Sequence, residues 1–245
     1  LGEDYSIMRT TTLPEMLEVI STNYNRRIEE ARFFEISHVY LADRLPLDEL
    51  PVEKQVLTLG MYGEADFYDI KGVAEEVLDK LGITGYEFEP LKDNPTFHPG
   101  RTAVLHIGGR EAGVLGEVHP EVMQEFEGPE RAYMGVLDIM QLAENASLMS
   151  EYKPLPKFPS VVRDIAMLVK DRVMARQIED IIKKNSGEIL EDIKLFDIYK
   201  GKQIPEGMKS VAYSITFRAA DRTLRDEEVN GIMESILNAL KNDVG

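Results

Sequence analysis

Apolar residues recur along this chain with two periods, and a cluster of prolines divides the segments that carry them. Residues 33–41, FFEISHVYL, and residues 55–62 are rich in aromatic and β-branched side chains. They read as the two strands of one long hairpin, around a polar loop that holds Pro46 and Pro51. Helical spacing occurs at 13–21, where Pro14 suits a first-turn position. It recurs at 69–81, where Ile70, Val73, Val77, Leu78 and Leu81 share a face and Gly82 follows as a C-terminal cap. Strands are predicted at 85–91, 102–108 and 111–117, the last two joined by a tight turn at Gly108-Gly109. His119-Pro120 opens a short helix reaching Phe126, and 133–138 is a further strand. Consecutive strands with few helices between them predict an antiparallel sheet in an α+β arrangement.

Pro154, Pro156 and Pro159 fix their own φ and bias their predecessors toward extended backbone, so 153–159 reads as a stiff linker between domains 1–150 and 151–245. Beyond it the order is simpler. A strand over 160–168 precedes a helix over 175–185, with Ile178, Ile181 and Ile182 apolar and Gly187 past its end. A strand over 190–199, the turn KGKQIPEGMK, and an alternating strand over 210–218 (Val211, Tyr213, Ile215, Phe217) follow. The last helix, 225–240, places Val229, Ile232, Met233, Ile236, Leu237 and Leu240 on one face. This is β-α-β-β-α, and one more strand beyond Gly245 would complete the ferredoxin-like split βαβ pattern. Arg163-Asp164, at the entry to the first of these strands, reads as an ion pair pinning the strand edge.

Charge is distributed as unevenly as the elements. The 245 residues carry a net charge of -16; residues 1–150 hold 12 Lys and Arg against 28 Asp and Glu, whereas 151–245 hold 16 against 16. Phosphate binding draws on clustered Lys and Arg, so a general nucleic-acid-coating surface is excluded and two units with different partners are expected. No apolar run approaches the roughly 20 residues of a membrane span. There is no cysteine, hence no disulfide, thiolate nucleophile or Cys-based zinc site, which fits a cytoplasmic location. The opening residues lack the basic flank and apolar core of a signal peptide. The chain begins at Leu1 and is read as a fragment of a longer protein.

Candidate chemistry is sparse in the first domain. His38 and His106 fall inside predicted strands, His98 and His119 each precede a proline as turn residues, and no H-E-x-x-H occurs. Phosphate-cradling glycine loops and a G-x-S-x-G elbow are also missing, and Glu75-Glu76 reads as solvated helix surface. The second domain offers more. Asp197, Tyr199, Ser210 and Arg218 lie on or beside adjacent strands, with Lys200, Lys202 and Lys209 about their turn. An exposed aromatic among cations and hydrogen-bonding groups suits unpaired bases, which present stacking faces and polar edges. An ordinary solvated hairpin carrying one aromatic accounts for the same residues. Arg222 and Arg225, in ADRTLRDEEVN, either meet phosphate or balance Asp221 and Asp226.

FPSVVRDIAMLV and LFDIYKGKQIPEGMKSVAYSITFRAADRTLRDEEVN closely resemble the C-terminal ferredoxin-fold anticodon-binding domain of bacterial-type phenylalanyl-tRNA synthetase beta subunits. MRTTTLPEMLEVISTNYNRR, FFEISHVYL, DFYDIKGVAEEVLDKLG, FHPGRTAVL and GVLGEVHPEV resemble the preceding catalytic-like module of the same subunit. The resemblance implies a class II synthetase-like antiparallel module that does no chemistry, followed by the ferredoxin-like domain. FFEISHVYL stands at the second class II motif, with Phe33 where an ATP-binding arginine is expected. The first module is then expected to face the catalytic alpha subunit of an alpha2-beta2 tetramer, where ATP and Mg2+ act; no cofactor or metal is expected in this chain. The second is expected to read the first anticodon base of a phenylalanine tRNA, with Tyr199 stacking and Asp197 and Ser210 bonding the base edge. Arg163, Lys200, Arg218, Arg222 and Arg225 are the candidates for backbone phosphates. The alternative is a ferredoxin-like regulatory protein that binds a small molecule.

Overall fold

The computed structural model describes residues 6–44, 46–148, 152, 154–201 and 203–244. The chain divides into two compact units, residues 1–151 and 152–245. The first runs α1 (Leu13–Asn25), β1 (Ala31–Leu41), β2 (Val52–Tyr62), α2 (Phe67–Lys80), β3 (Tyr86–Pro90), β4 (Phe97–Ile107), β5 (Arg110–Val118), α3 (Pro120–Glu125), β6 (Ala132–Asp138) and α4 (Ile139–Asn145). Its six strands form one sheet in the order β1-β2-β6-β5-β4-β3, antiparallel at every pairing. The expected β1-β2 hairpin is present, with Ala31 opposite Tyr62 and Leu41 opposite Val52.

Both faces of this sheet are covered. On one, Met16, Leu17 and Ile20 of α1 and Met123 of α3 pack with Tyr62, Phe97, Val118 and Met134. On the other, Ile70, Ala74 and Leu78 of α2 and Leu142 of α4 pack with Leu57, Leu59, Leu105, Leu115 and Leu137. Double coverage explains why Val56 through Tyr62 are buried without alternation. The Gly108-Gly109 turn has φ +58° and +77°, the two positive values a type I′ hairpin requires.

Local contacts account for the departures from the expected boundaries. α1 continues to Asn25, and the Tyr24 ring meets Tyr62 edge-on at 6.2 Å. α2 starts at Phe67 because Asp66 and Asp69 form a reciprocal capping box, the Asp66 carboxylate accepting from the Asp69 amide and the Asp69 carboxylate from the Asp66 amide. Val73, placed on the apolar face of α2 by its spacing, is exposed. α4 was not expected; Asp138 caps it by accepting from the amides of Met140 and Gln141, and Leu142 anchors it. His98 does its turn chemistry inside β4, where the register slips: Nδ1 accepts from the Gly100 amide at 3.0 Å and the carbonyl from the Thr102 hydroxyl at 2.6 Å.

The second unit runs β7 (Val161–Lys170), α5 (Ala175–Ser186), β8 (Leu190–Tyr199), β9 (Met208–Phe217) and α6 (Asp226–Asp243). The last strand lies between the other two, in the order β7-β9-β8, antiparallel to each. That is the split βαβ arrangement, and the β-α-β-β-α order read from the sequence is the one observed. Ile178 and Ile182 of α5 and Val229, Met233, Ile236 and Leu240 of α6 cover one sheet face, over Ile165, Val169, Val211, Tyr213, Ile215 and Phe217. The buried Tyr213 hydroxyl donates to the carbonyl of Ala175, and burial pushes its pKa up. Leu237, assigned to the apolar face of α6, is half exposed instead.

The expected Arg163–Asp164 pair is replaced by another. Neighbouring strand residues point to opposite faces, and Arg163 sits opposite Ile215 on the helix side. Its Nη2 donates to Asp226 Oδ1 at 2.9 Å, tying β7 to the first turn of α6. No helix among the described residues is long and apolar enough to cross a membrane.

Core burial and this surface pair differ in weight, and urea unfolding followed by circular dichroism separates them. Phe217→Ala removes a fully buried ring and is expected to lower the stability of the second unit by about 3–5 kcal/mol. Arg163→Ala, which removes a solvent-facing ion pair, is expected to cost under about 1 kcal/mol.

Candidate nucleic-acid interface

The face of the second sheet away from α5 and α6 is shaped by β8. Ile193 and Leu195 lie opposite Ile215 and Tyr213 and join the core beneath the helices. With strict alternation, Asp197 and Tyr199 would follow them onto that covered face. They do not, because the register shifts by one residue between Leu195 and Asp197. Phe196 is the extra residue, and the strand beyond it presents its other side. Asp197 then lies opposite Ala212 and Tyr199 opposite Ser210, both on the uncovered parity of β9.

Three residues singled out from the sequence, Asp197, Tyr199 and Ser210, therefore share one open face. Directly opposed residues on one face have Cβ atoms about 4.5–5.5 Å apart, so Tyr199 and Ser210 leave the sheet side by side. Tyr199 is 45% exposed. The floor beside it is built of small residues, Ser210, Ala212, Ser214 and Thr216 of β9, and Leu168 of β7 continues the face opposite Ser210. Leu168, at 46% exposure, and the half-exposed Phe196 were missed from the sequence. The adjacent apolar pair Leu195-Phe196 was the available signal, since it breaks the alternation where the bulge falls.

The basic candidates divide into two groups. Arg218 is spent within the unit: Nε donates to both carboxylate oxygens of Glu191, at 2.8 and 2.9 Å, and Nη1 to the carbonyl of Phe158. Arg163 is held by Asp226 on the helix side. Arg222 donates to Asp221 and Glu228, and its pKa is raised by the hydrogen bond to Asp221 and by both neighbouring carboxylates. Lys200 and Lys209 stand at the Tyr199 end of the sheet. Lys200 Nζ is 3.0 Å from Asp171 Oδ1, and Lys209 Nζ donates to the Asp171 carbonyl at 3.1 Å. Burial and the neighbouring Lys200 lower the pKa of Lys209. Arg225 is exposed at the N-cap of α6. Lys202 lies outside the described residues.

In the first unit the most buried carboxylate is paired internally. Glu117, nearly fully buried, accepts from Arg101 Nη1 at 2.7 Å and from the Tyr133 hydroxyl at 3.2 Å. Burial and that carboxylate raise the Tyr133 pKa. An open cleft of about 380 Å³ lies beside the start of α3, lined in part by Lys92, Asn94 and His119. His119 uses Nδ1 to accept from the Glu121 amide, so its ring serves as a helix cap. Phe33 packs into the core beneath α1. No group of three or more His, Asp or Glu able to hold a metal ion occurs among the described residues.

Two family models match separate parts of the chain. Residues 156–245 match the ferredoxin-fold anticodon binding domain. Over its full length the chain is 48% identical to a phenylalanine–tRNA ligase beta subunit of Clostridium tetani and 46% identical to one of Clostridium acetobutylicum. It spans 31% of the length of each of these relatives. A solved pyrrolysyl tRNA synthetase of Desulfitobacterium hafniense overlies 55% of this chain and 47% of its own, at 18% identity and a TM-score of 0.45, a likeness too slight to bear weight. Residues 1–139 match the phenylalanyl tRNA synthetase beta chain CLM domain, and since that match spans more than half of its residues, the chain belongs to the phenylalanyl tRNA synthetase beta chain family.

Proposed function

We propose that the chain works within a phenylalanine–tRNA ligase, residues 152–245 reading the tRNA anticodon and residues 1–151 docking on the catalytic alpha subunit. The observation that carries this reading is the grouping of Asp197, Tyr199 and Ser210 on one uncovered sheet face, inside the segment that matches an anticodon binding family. Each supplies a different part of base recognition. The Tyr199 ring offers a stacking surface at the edge of a floor of small side chains. An ionised Asp197 can only accept hydrogen bonds, so it selects a base edge that presents N–H donors. The Ser210 hydroxyl donates or accepts beside it. Lys200 can exchange its exposed partner Asp171 for a phosphate, and Arg225 is open to one. Arg163, Arg218 and Arg222 already hold carboxylates and are assigned to the structure of the unit.

The first unit is assigned an assembly role, in an alpha2-beta2 tetramer of the cytoplasm. An ATP phosphate needs a cation at the position of Phe33, and a partly buried aromatic side chain packed against the core does not fit that need. The ATP and Mg2+ chemistry is accordingly assigned to the alpha subunit. The charge imbalance supports the same split, because the strongly acidic first unit repels RNA while the second is neutral overall.

Two measurements test this. In the full-length protein assembled with its alpha subunit, Tyr199→Ala is expected to weaken binding of the phenylalanine tRNA by about 1–3 kcal/mol, with Tyr199→Phe close to wild type because the ring is kept. Unchanged binding by a well-folded Tyr199→Ala removes the stacking role. Incubated alone with ATP, phenylalanine and pyrophosphate, the 245-residue chain is expected to give no exchange above background; robust exchange contradicts the non-catalytic assignment.

A further inference from the structure

The turn between β8 and β9 contains two described glycines with different reasons to be glycine. Gly207 has φ +77°, a backbone conformation that side chains disfavour, and open space where a Cβ would stand. Gly201 is the reverse case. Its φ is not among the positive ones, but a Cβ built on it would overlap the hydroxyl oxygen, Cζ and Cε1 of Tyr199. The phenol end of Tyr199 thus lies directly against the bare backbone of Gly201. That backbone is itself held, because the Gly201 carbonyl accepts from the Ile204 amide at 2.9 Å to close a turn. A methyl group added at 201 has fixed main chain on one side and the ring on the other, and the ring is the part that must move.

We propose that Gly201 is a positioning residue for Tyr199. Its main chain is a shelf against which the phenol end of the ring rests, so the stacking surface is set before RNA arrives. A ring already in place loses less side-chain freedom on binding, which raises affinity without any new contact. The inference rests on the role assigned to Tyr199 above. It is a statement about space, and so differs from the backbone requirement at Gly207.

The test uses the full-length protein with its alpha subunit, labelled with 3-fluorotyrosine, the Tyr199 resonance being the one lost in Tyr199→Phe. Gly201→Ala is expected to move that resonance and to weaken phenylalanine tRNA binding roughly five- to tenfold, a part of the loss given by Tyr199→Ala. In a Tyr199→Ala background, Gly201→Ala is expected to add nothing. Gly207→Ala, which strains the same turn without meeting the ring, is expected to leave the resonance in place. The proposal is overturned if Gly201→Ala changes neither resonance nor affinity while Tyr199→Ala weakens binding. It is equally overturned if Gly201→Ala weakens binding just as much when Tyr199 is already Ala, since the effect then belongs to the turn. If Tyr199→Ala leaves binding unchanged, the assignment of Tyr199 is the part that fails, and the positioning role goes with it.

Discussion

A one-residue slip in the pairing of β8 with β9 decides what the open face of the second unit presents. Before the slip, Ile193 and Leu195 are committed to the core beneath α5 and α6. After it, the same alternation turns Asp197 and Tyr199 outward. Without Phe196 as the extra residue, a carboxylate and a phenol would face the helices, and a carboxylate there would need a partner to offset its desolvation. With it, one strand serves a hydrophobic core along its first half and a polar, aromatic surface along its second. The rest of the proposed site depends on that reversal: Ser210 becomes the cross-strand neighbour of Tyr199, and the turn that follows brings Gly201 under its ring.

The first unit is built on the opposite principle. Its sheet is covered on both faces, and Glu117, the one strongly buried carboxylate among its described residues, is already satisfied by Arg101 and Tyr133. Both partners of that charge come from within the unit. The same division appears in the charges, with the excess of Asp and Glu confined to this unit. The proposed split of labour, assembly in one unit and RNA reading in the other, rests on the sheet face left uncovered in the second unit.

Much of the fold was legible because period and punctuation agree. The order β-α-β-β-α, the Gly108-Gly109 turn and the β1-β2 hairpin all follow from alternation, helical spacing and turn residues. What escaped notice depended on contacts between residues distant in sequence or on local capping. α4 is a short helix set by Asp138, and the true start of α2 by the Asp66–Asp69 box. Adjacency in sequence suggests an Arg163–Asp164 pair, but a strand sends adjacent side chains to opposite faces, and the partner is Asp226. In the candidate site the residue types were readable and their shared face was not. Strict alternation places Asp197 and Tyr199 with Leu195, and only the register of β9 reveals the slip.

The proposed reading of the anticodon by this face is tested most directly by cross-linking. A phenylalanine tRNA carrying 6-thioguanosine, a photoreactive purine that keeps the N–H donors of its base edge, at the first anticodon position is irradiated with the full-length protein and its alpha subunit, and the cross-linked peptide is identified by mass spectrometry. The account predicts attachment within 196–201 or 208–212, the segments that hold Asp197, Tyr199 and Ser210. Attachment confined to the first unit, or to α5 and α6 on the covered side of the sheet, contradicts it.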